Sequence, residues 1–313
     1  MQIMSHKPLV GISSCLLGQA VRYNGTHKYS SLCVEQLRAW LEFVPTCPEL
    51  GAGLGVPRPP IRLVGDAEAP KVWRVADGAD VTADLKHYAA QRLPELADLC
   101  GYVFIPNSPS CGVFNVKLYD ALGKLSPQGS RGVFAAAFMQ RFPGIPVVEE
   151  GQLVDDEVRD HFLARVFIVH AWRQLCREGL SAAALVRFHS RHKYTLMAHD
   201  SGRYNTLGQV LAQAGKQEPN ALGERYFQAL MTLVERPVTR RSNTNVLMHL
   251  QGYLKRFLSA EEKQQLAALI DAYRLDQVEL EEPVALLRLH FQRYPNDYID
   301  QQTFLQPRLH LTA

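Results

Sequence analysis

The chain has 313 residues, 47% hydrophobic and 21% charged, with a net charge of +3. This balance excludes a disordered chain, and no run approaches the ~20 apolar residues of a membrane helix. So small a net charge makes no case for a nucleic-acid partner, so local clustering has to carry that argument. At this length two domains are expected. The opening MQIMSHKP lacks the long apolar segment of a signal peptide, which points to a cytoplasmic protein. Six cysteines in that setting suit thiols or thiolate ligands better than a disulfide framework.

In chain order, Pro8 to Ser13 predict a first strand that opens onto SSCLLG, carrying Cys15, and then QAVRYNGTHK. The Tyr-Asn-Gly step is a turn signal. It leaves Arg22, His27 and Lys28 in polar loop sequence, able to hold an anion or simply to face solvent. Helical spacing over Ser31 to Leu41 places Cys33 on a helix, in packing. The run Leu41 to Val44 predicts a second strand, followed by CPELGAGLGVPRPP with Cys47 and Glu49. Gly51, Gly53 and Gly55 mimic a dinucleotide fingerprint, but Pro57, Pro59 and Pro60 prevent the helix that would receive a pyrophosphate. The glycines instead predict close passage of the backbone by a bulky group beside Cys47. Glu49 stands where a proton-handling carboxylate would be useful. Arg58, stiffened by prolines, suits a phosphate or carbonyl oxygen, or an exposed surface.

Val72 to Val75 predict an edge strand, and DVTADLKHYAAQRLPEL a helix with Thr82 or Asp80 near its cap. Cys100 reads as core. Tyr102 to Ile105 predict a strand leading into NSPSCG, where Ser108 and Ser110 flank Pro109 just before Cys111. A helix in GVFAAAFMQRF and a last strand at Pro146 to Glu149 follow, and after them strand-like runs disappear. The expected fold is therefore α/β: a Rossmann-like N-terminal domain with a mainly parallel sheet over residues 1–153, then an all-α domain over 154–313. Ser181 and Ser259 read as N-caps in that helical half.

Basic residues cluster there with aromatic rings interleaved. Arg187, Arg191, His192, Lys193 and Arg203 accompany His189, Tyr194 and Tyr204; Arg236, Arg240 and Arg241 precede Asn243, His249, Tyr253, Lys255 and Arg256. Such a mixture neutralises phosphates and stacks on exposed bases, so it suits RNA, although solvated helix faces have the same composition. His189 and His192 lie one turn apart without an obvious third metal ligand.

Cys15, Cys47 and Cys111 each stand in a polar loop at a predicted strand end, and such ends line one crevice in an open α/β sheet. Zinc would want a fourth ligand or a catalytic water, and the deaminase and ferredoxin cysteine patterns are absent. A cubane held by three of its irons is a further possibility, and its open iron would be a Lewis acid with a liking for sulfur. Plain structural thiols are another.

SSCLLGQAVRYNGTHK, CPELGAGLGVPRPP and NSPSCG resemble the thiouracil desulfidase family. The segments FHSRHKYTLMAHD and NVLMHLQGYLK resemble the second, uncharacterised domain fused to it in bacterial tRNA 4-thiouridine desulfidases. The resemblance implies an oxygen-sensitive [4Fe-4S] cluster on Cys15, Cys47 and Cys111, a catalytic Glu49, and a catalytic serine that is either Ser108 or Ser110. It implies hydrolytic conversion of 4-thiouridine in tRNA to uridine, with sulfide released and no net redox change. Arg22, Lys28 and Arg58 join the basic residues of the helical half as candidate RNA contacts. The alternatives are a desulfidase of free 4-thiouracil or thiouridine phosphates, and a non-catalytic iron–sulfur sensor that binds RNA.

Overall fold

The computed structural model describes residues 6–212 and 217–306. The chain divides into two compact units, Met1–Arg173 and Gln174–Ala313. In the first, strands β1 (Leu9–Ser13), β2 (Glu42–Thr46), β5 (Gly101–Phe104) and β7 (Val147–Glu149) form one sheet in the order β2-β1-β5-β7. Every pairing in it is parallel. β1 and β5 are short apolar runs buried along most of their length, as strands covered on both faces must be. Val10, Ile12, Val103 and Phe104 are fully buried, each worth roughly 1.5–3 kcal/mol of burial. Tyr102 stacks on Phe104 at 3.9 Å between ring centroids, and Phe138 meets both rings edge-on.

A smaller sheet, ordered β4-β3-β6, joins β3 (Ile61–Val64), β4 (Lys71–Arg74) and β6 (Leu118–Tyr119). β4 is the expected edge strand, running antiparallel to β3. Helices α1 (Pro48–Gly51), α2 (Thr82–Glu95) and α3 (Val133–Arg141) complete the layers, α2 packing on α3.

The helix expected over Ser31 to Leu41 is not an α-helix. It is a π turn at Leu32–Gln36 followed by a 3-10 turn at Leu37–Ala39. The Ser30 hydroxyl accepts the Cys33 amide, and the Leu37 amide is shared between the carbonyls of Cys33 and Leu32, which widens the coil. The spacing still buries one face, since Cys33, Leu37 and Leu41 are all in the core.

Helix α4 (Asp156–Glu178) runs through the point where the units divide. Its buried residues include Phe162, Val166, Val169 and Trp172, three or four positions apart, with Leu163, Ile168 and His170 beside them. The first part belongs to the sheet unit, because Phe162 and Val166 lie where a side chain at Gly101 would stand and Arg173 donates to the Leu99 carbonyl at 2.7 Å. The second unit comprises α5 (Ala182–Arg191), α6 (Lys193–Leu211), α7 (Pro219–Val234), α8 (Arg240–Leu254), α9 (Ala260–Arg274), α10 (Glu281–Arg293) and the short α11 (Asp297–Asp300). Ser181 and Ser259 cap α5 and α9, accepting from Ala184 and Glu262 amides. α6 breaks at Asp200 (φ −161°, ψ 103°), whose carboxylate accepts the Arg203 amide and so restarts the helix. The helical run expected over 203–215 ends in residues that lie outside the described ones. No described helix is long and apolar enough to cross a membrane.

Candidate active site

Three loops leave the carboxyl ends of neighbouring strands and bring chemistry together. After β1, Cys15 sits in a 3-10 turn (Ser14–Leu17) and is 7% exposed. After β2, Cys47 is the N-cap of the single-turn α1, with Glu49 in that first turn. After β5, Cys111 ends the Ser-Pro-Ser turn and is 5% exposed. Because β1 lies between β2 and β5, the three loops are adjacent.

Burial pushes the Cys15 thiol up to about 11, with the neighbouring Cys47 adding to it and Arg22 opposing it. The Cys111 thiol is raised by burial, then by Cys47 and Glu49, with Cys15 contributing. Cys47 is raised by burial, against the Leu50 amide facing its sulfur. Cys47 thus acts on both Cys15 and Cys111, and Cys15 on Cys111.

Glu49 is held from both sides. Arg58, 8% exposed, donates to its Oε2 from Nε at 2.9 Å and from a terminal nitrogen at 2.7 Å. The same terminal nitrogen reaches the Val21 carbonyl at 3.0 Å, and the other reaches the Gly55 carbonyl at 2.7 Å. On the opposite oxygen, Oε1, the Ser110 hydroxyl donates at 2.5 Å and that of Ser108 at 3.4 Å, the two hydroxyls being 3.0 Å apart. Ser108 Oγ also accepts the Ser110 and Cys111 amides, which fixes the turn. Ser110 is completely buried, whereas Ser108 is part-exposed. Gly132 allows α3 to begin against this turn, since a Cβ there would stand 2.5 Å from the Ser110 carbonyl carbon. Glu149, at the end of β7, accepts the Val113 and Phe114 amides at 2.8 and 3.0 Å and anchors the loop beyond Cys111.

Several expectations need correction. Arg58 is neither exposed nor free for RNA phosphate, because its guanidinium is committed to Glu49 and two carbonyls. Gly53 and Gly55 take the left-handed backbone (φ 81° and 74°), with open space where a side chain would stand. Gly51 is the close approach, and its neighbour is the ring of Tyr88. Cys33 and Cys100 are buried core thiols, as expected.

The basic candidates in the helical half divide. Arg187, Arg191, Arg241 and Lys255 are exposed. Lys193 lies over the Tyr194 and Tyr298 rings at 5.2 and 5.9 Å. Arg203 is used within its own unit, donating to the Thr232 carbonyl at 2.7 Å and pairing with Asp200. Arg240 is likewise committed, to the Tyr273 and Val278 carbonyls and to Asp276. In the first unit, Arg22 lies over Tyr23 and Lys28 pairs with Glu150 at 3.5 Å.

His192 is a core residue rather than an RNA contact: it is 6% exposed, stacks on Phe188 and bonds its carbonyl through Nδ1 at 2.8 Å. Burial depresses its pKa to about 4. A depressed histidine stabilises the fold above its unfolded value near 6.5, and that contribution is lost as pH falls through 4. The helical half should therefore lose on the order of 3 kcal/mol from this group across that window. Thermal melts of the full chain at pH 7 and pH 4.5 check this, and a His192→Gln variant should flatten the pH dependence. Equal pH dependence in the two would contradict it.

No group of three or more His, Cys, Asp or Glu side chains among the described residues forms a single-ion site. A cubane asks for a wider arrangement, because each thiolate binds a different iron. Thiols on three adjacent loops, with the neighbouring Glu49 tied up by Arg58, fit that donor set. Loading would release the protons that burial now holds on the sulfurs.

Residues 10–150 match the family model described as 2-thiouracil desulfurase. The uncharacterized protein YbbK of Bacillus subtilis is 31% identical over 47% of this chain and 99% of its own length. The chain belongs to the 2-thiouracil desulfurase family. Its helical half, over residues 193–308, matches a model described as a protein of unknown function, DUF1722. The uncharacterized protein YbgA of Escherichia coli is 34% identical over 47% of this chain and 88% of its own length. A solved [4Fe-4S]-dependent thiouracil desulfidase is 30% identical and covers 47% of this chain and 94% of its own, with a TM-score of 0.37. Within this desulfurase family member, Cys15, Cys47, Glu49, Ser108, Ser110 and Cys111 all fall inside the matched region.

Proposed function

We propose that the chain is a tRNA 4-thiouridine desulfidase, in which residues 1–153 carry out hydrolysis and the helical half, 154–313, holds the RNA. The observation that carries the reading is the convergence of three thiols with a carboxylate whose one oxygen is pinned by arginine and whose other oxygen faces two hydroxyls. Cys15, Cys47 and Cys111 would hold a [4Fe-4S] cluster. When bound, the cluster supplies an open iron, a Lewis acid with affinity for a thiocarbonyl sulfur.

The protein groups handle position and protons. Glu49 Oε1 accepts one proton from the water that adds to C4 and returns it to sulfur, then takes the second from the new C4 hydroxyl as the carbon–sulfur bond breaks and passes it to the departing sulfur, so that water and thiocarbonyl become carbonyl and hydrogen sulfide. Ser108, the part-exposed hydroxyl, would touch the substrate. Ser110, fully buried, holds the carboxylate. The exposed Arg187, Arg191, Arg241 and Lys255, with the part-exposed Tyr253, support RNA contact by phosphate neutralisation and stacking.

The family description names a free base, which favours free thiouracil as a second reading. Salt separates the two. Raising salt from about 50 to 200 mM should raise KM for 4-thiouridine-containing tRNA steeply and leave KM for free 4-thiouracil nearly unchanged. Turnover of the free base alone, with no saturable binding of tRNA at low salt, would overturn the RNA reading.

A further inference from the structure

We propose that Arg58 is a positioning residue for the reaction, fixing which oxygen of Glu49 works by tying the other oxygen to the loop that follows Cys15. This rests on the proposed role of Glu49. The geometry is specific: both Arg58 donors that reach Glu49 end on Oε2, leaving Oε1 to the serine hydroxyls. A carboxylate held by one donor can rotate and exchange its oxygens, whereas one gripped by a planar guanidinium cannot.

The remaining Arg58 contacts extend the constraint. Its terminal nitrogens reach the carbonyls of Val21 and Gly55, and its own amide donates to the Tyr23 carbonyl at 2.8 Å. Val21 and Tyr23 belong to the loop following Cys15. The Val21 carbonyl is also 3.8 Å from the Cys47 sulfur. Arg58 therefore joins the segments bearing Cys15, Cys47 and Glu49 through one side chain, 8% exposed and out of reach of a substrate phosphate. Lysine in its place has its three donors on one nitrogen and lacks the planar fork, so it could not span Glu49 and both the Val21 and Gly55 carbonyls as Arg58 does.

The test is a double-mutant cycle on reconstituted holoprotein, comparing Arg58→Met, Glu49→Gln and the double variant. Iron and sulfide content and melting temperature are read alongside kcat and KM. Arg58→Met is expected to lower kcat about tenfold to a hundredfold with KM within about twofold, while cluster content stays at the wild-type value. The double variant should be no slower than Glu49→Gln alone, because the arginine acts through the carboxylate. Multiplying losses would overturn the proposal. A rise in KM confined to tRNA would overturn it in favour of phosphate binding, and a fall in cluster content matching the fall in kcat would reduce Arg58 to a structural tie.

Should Arg58→Met fail to fold, Arg58→Lys keeps the charge. It is expected to lower kcat by less than the loss set for Arg58→Met, and wild-type kcat in that variant would overturn the proposal. An unimpaired Glu49→Gln would sink the proposed role of Glu49 itself, whereas an impaired Glu49→Gln beside an unimpaired Arg58→Met would sink only the inference about arginine.

Discussion

Glu49→Gln is expected to slow turnover of a thiocarbonyl substrate by about 10²–10⁴-fold, with the [4Fe-4S] content unchanged. The amide matches the carboxylate in shape, and its one acceptor oxygen can stay on Arg58 while its nitrogen donates to the serine hydroxyls, but it takes up no proton. It is a cleaner probe than alanine, which would leave the buried Arg58 guanidinium facing an empty space. Visible absorbance, iron and acid-labile sulfide report the cluster, and released sulfide reports the reaction. Glu49→Gln turning over at the wild-type rate would remove Glu49 from the mechanism.

Cys47→Ala should abolish both cluster and turnover. A cubane held by only two thiolates has a second open iron, and the remaining thiols are buried groups that prefer to stay protonated. The matched control is Cys33→Ala. Cys33 is fully buried on the π turn, with its thiol pushed up to about 11 by burial, and it belongs to the core rather than to the strand-end loops. That variant should lose some stability yet keep its iron. Full iron content in Cys47→Ala, or its loss in Cys33→Ala, would contradict the ligand assignment.

Much of the site is legible in the sequence because its residues stand where apolar runs give way to polar turns. Cys15, Cys47 and Cys111 each follow a run that becomes a strand of one parallel sheet, and strand adjacency then brings them together. Glu49 is legible as the carboxylate two positions beyond Cys47. Arg58 is not, because an arginine among prolines looks the same whether it faces water or turns inward, and its partners at Val21, Glu49 and Gly55 depend on the loop path. The short β3 and β6 escape notice for a related reason: four and two residues among glycine and proline carry little periodicity. In the 31–41 segment the apolar spacing correctly gives the buried face, but spacing does not distinguish an α coil from a π turn when Ser30 competes for an amide. Basic residues in the helical half show the same limit. Arg240 finds Asp276 across a turn and Arg236 finds Asp200, whereas Arg187 and Arg191 remain exposed.

The most direct test of the central claim is anaerobic release of sulfide from 4-thiouracil and 4-thiouridine-containing tRNA by the iron–sulfur-reconstituted protein. The account predicts stoichiometric sulfide with loss of the thiocarbonyl absorbance and catalytic turnover on at least the tRNA. An intact cluster on Cys15, Cys47 and Cys111 with no sulfide released from either substrate would contradict it and leave the iron–sulfur sensor.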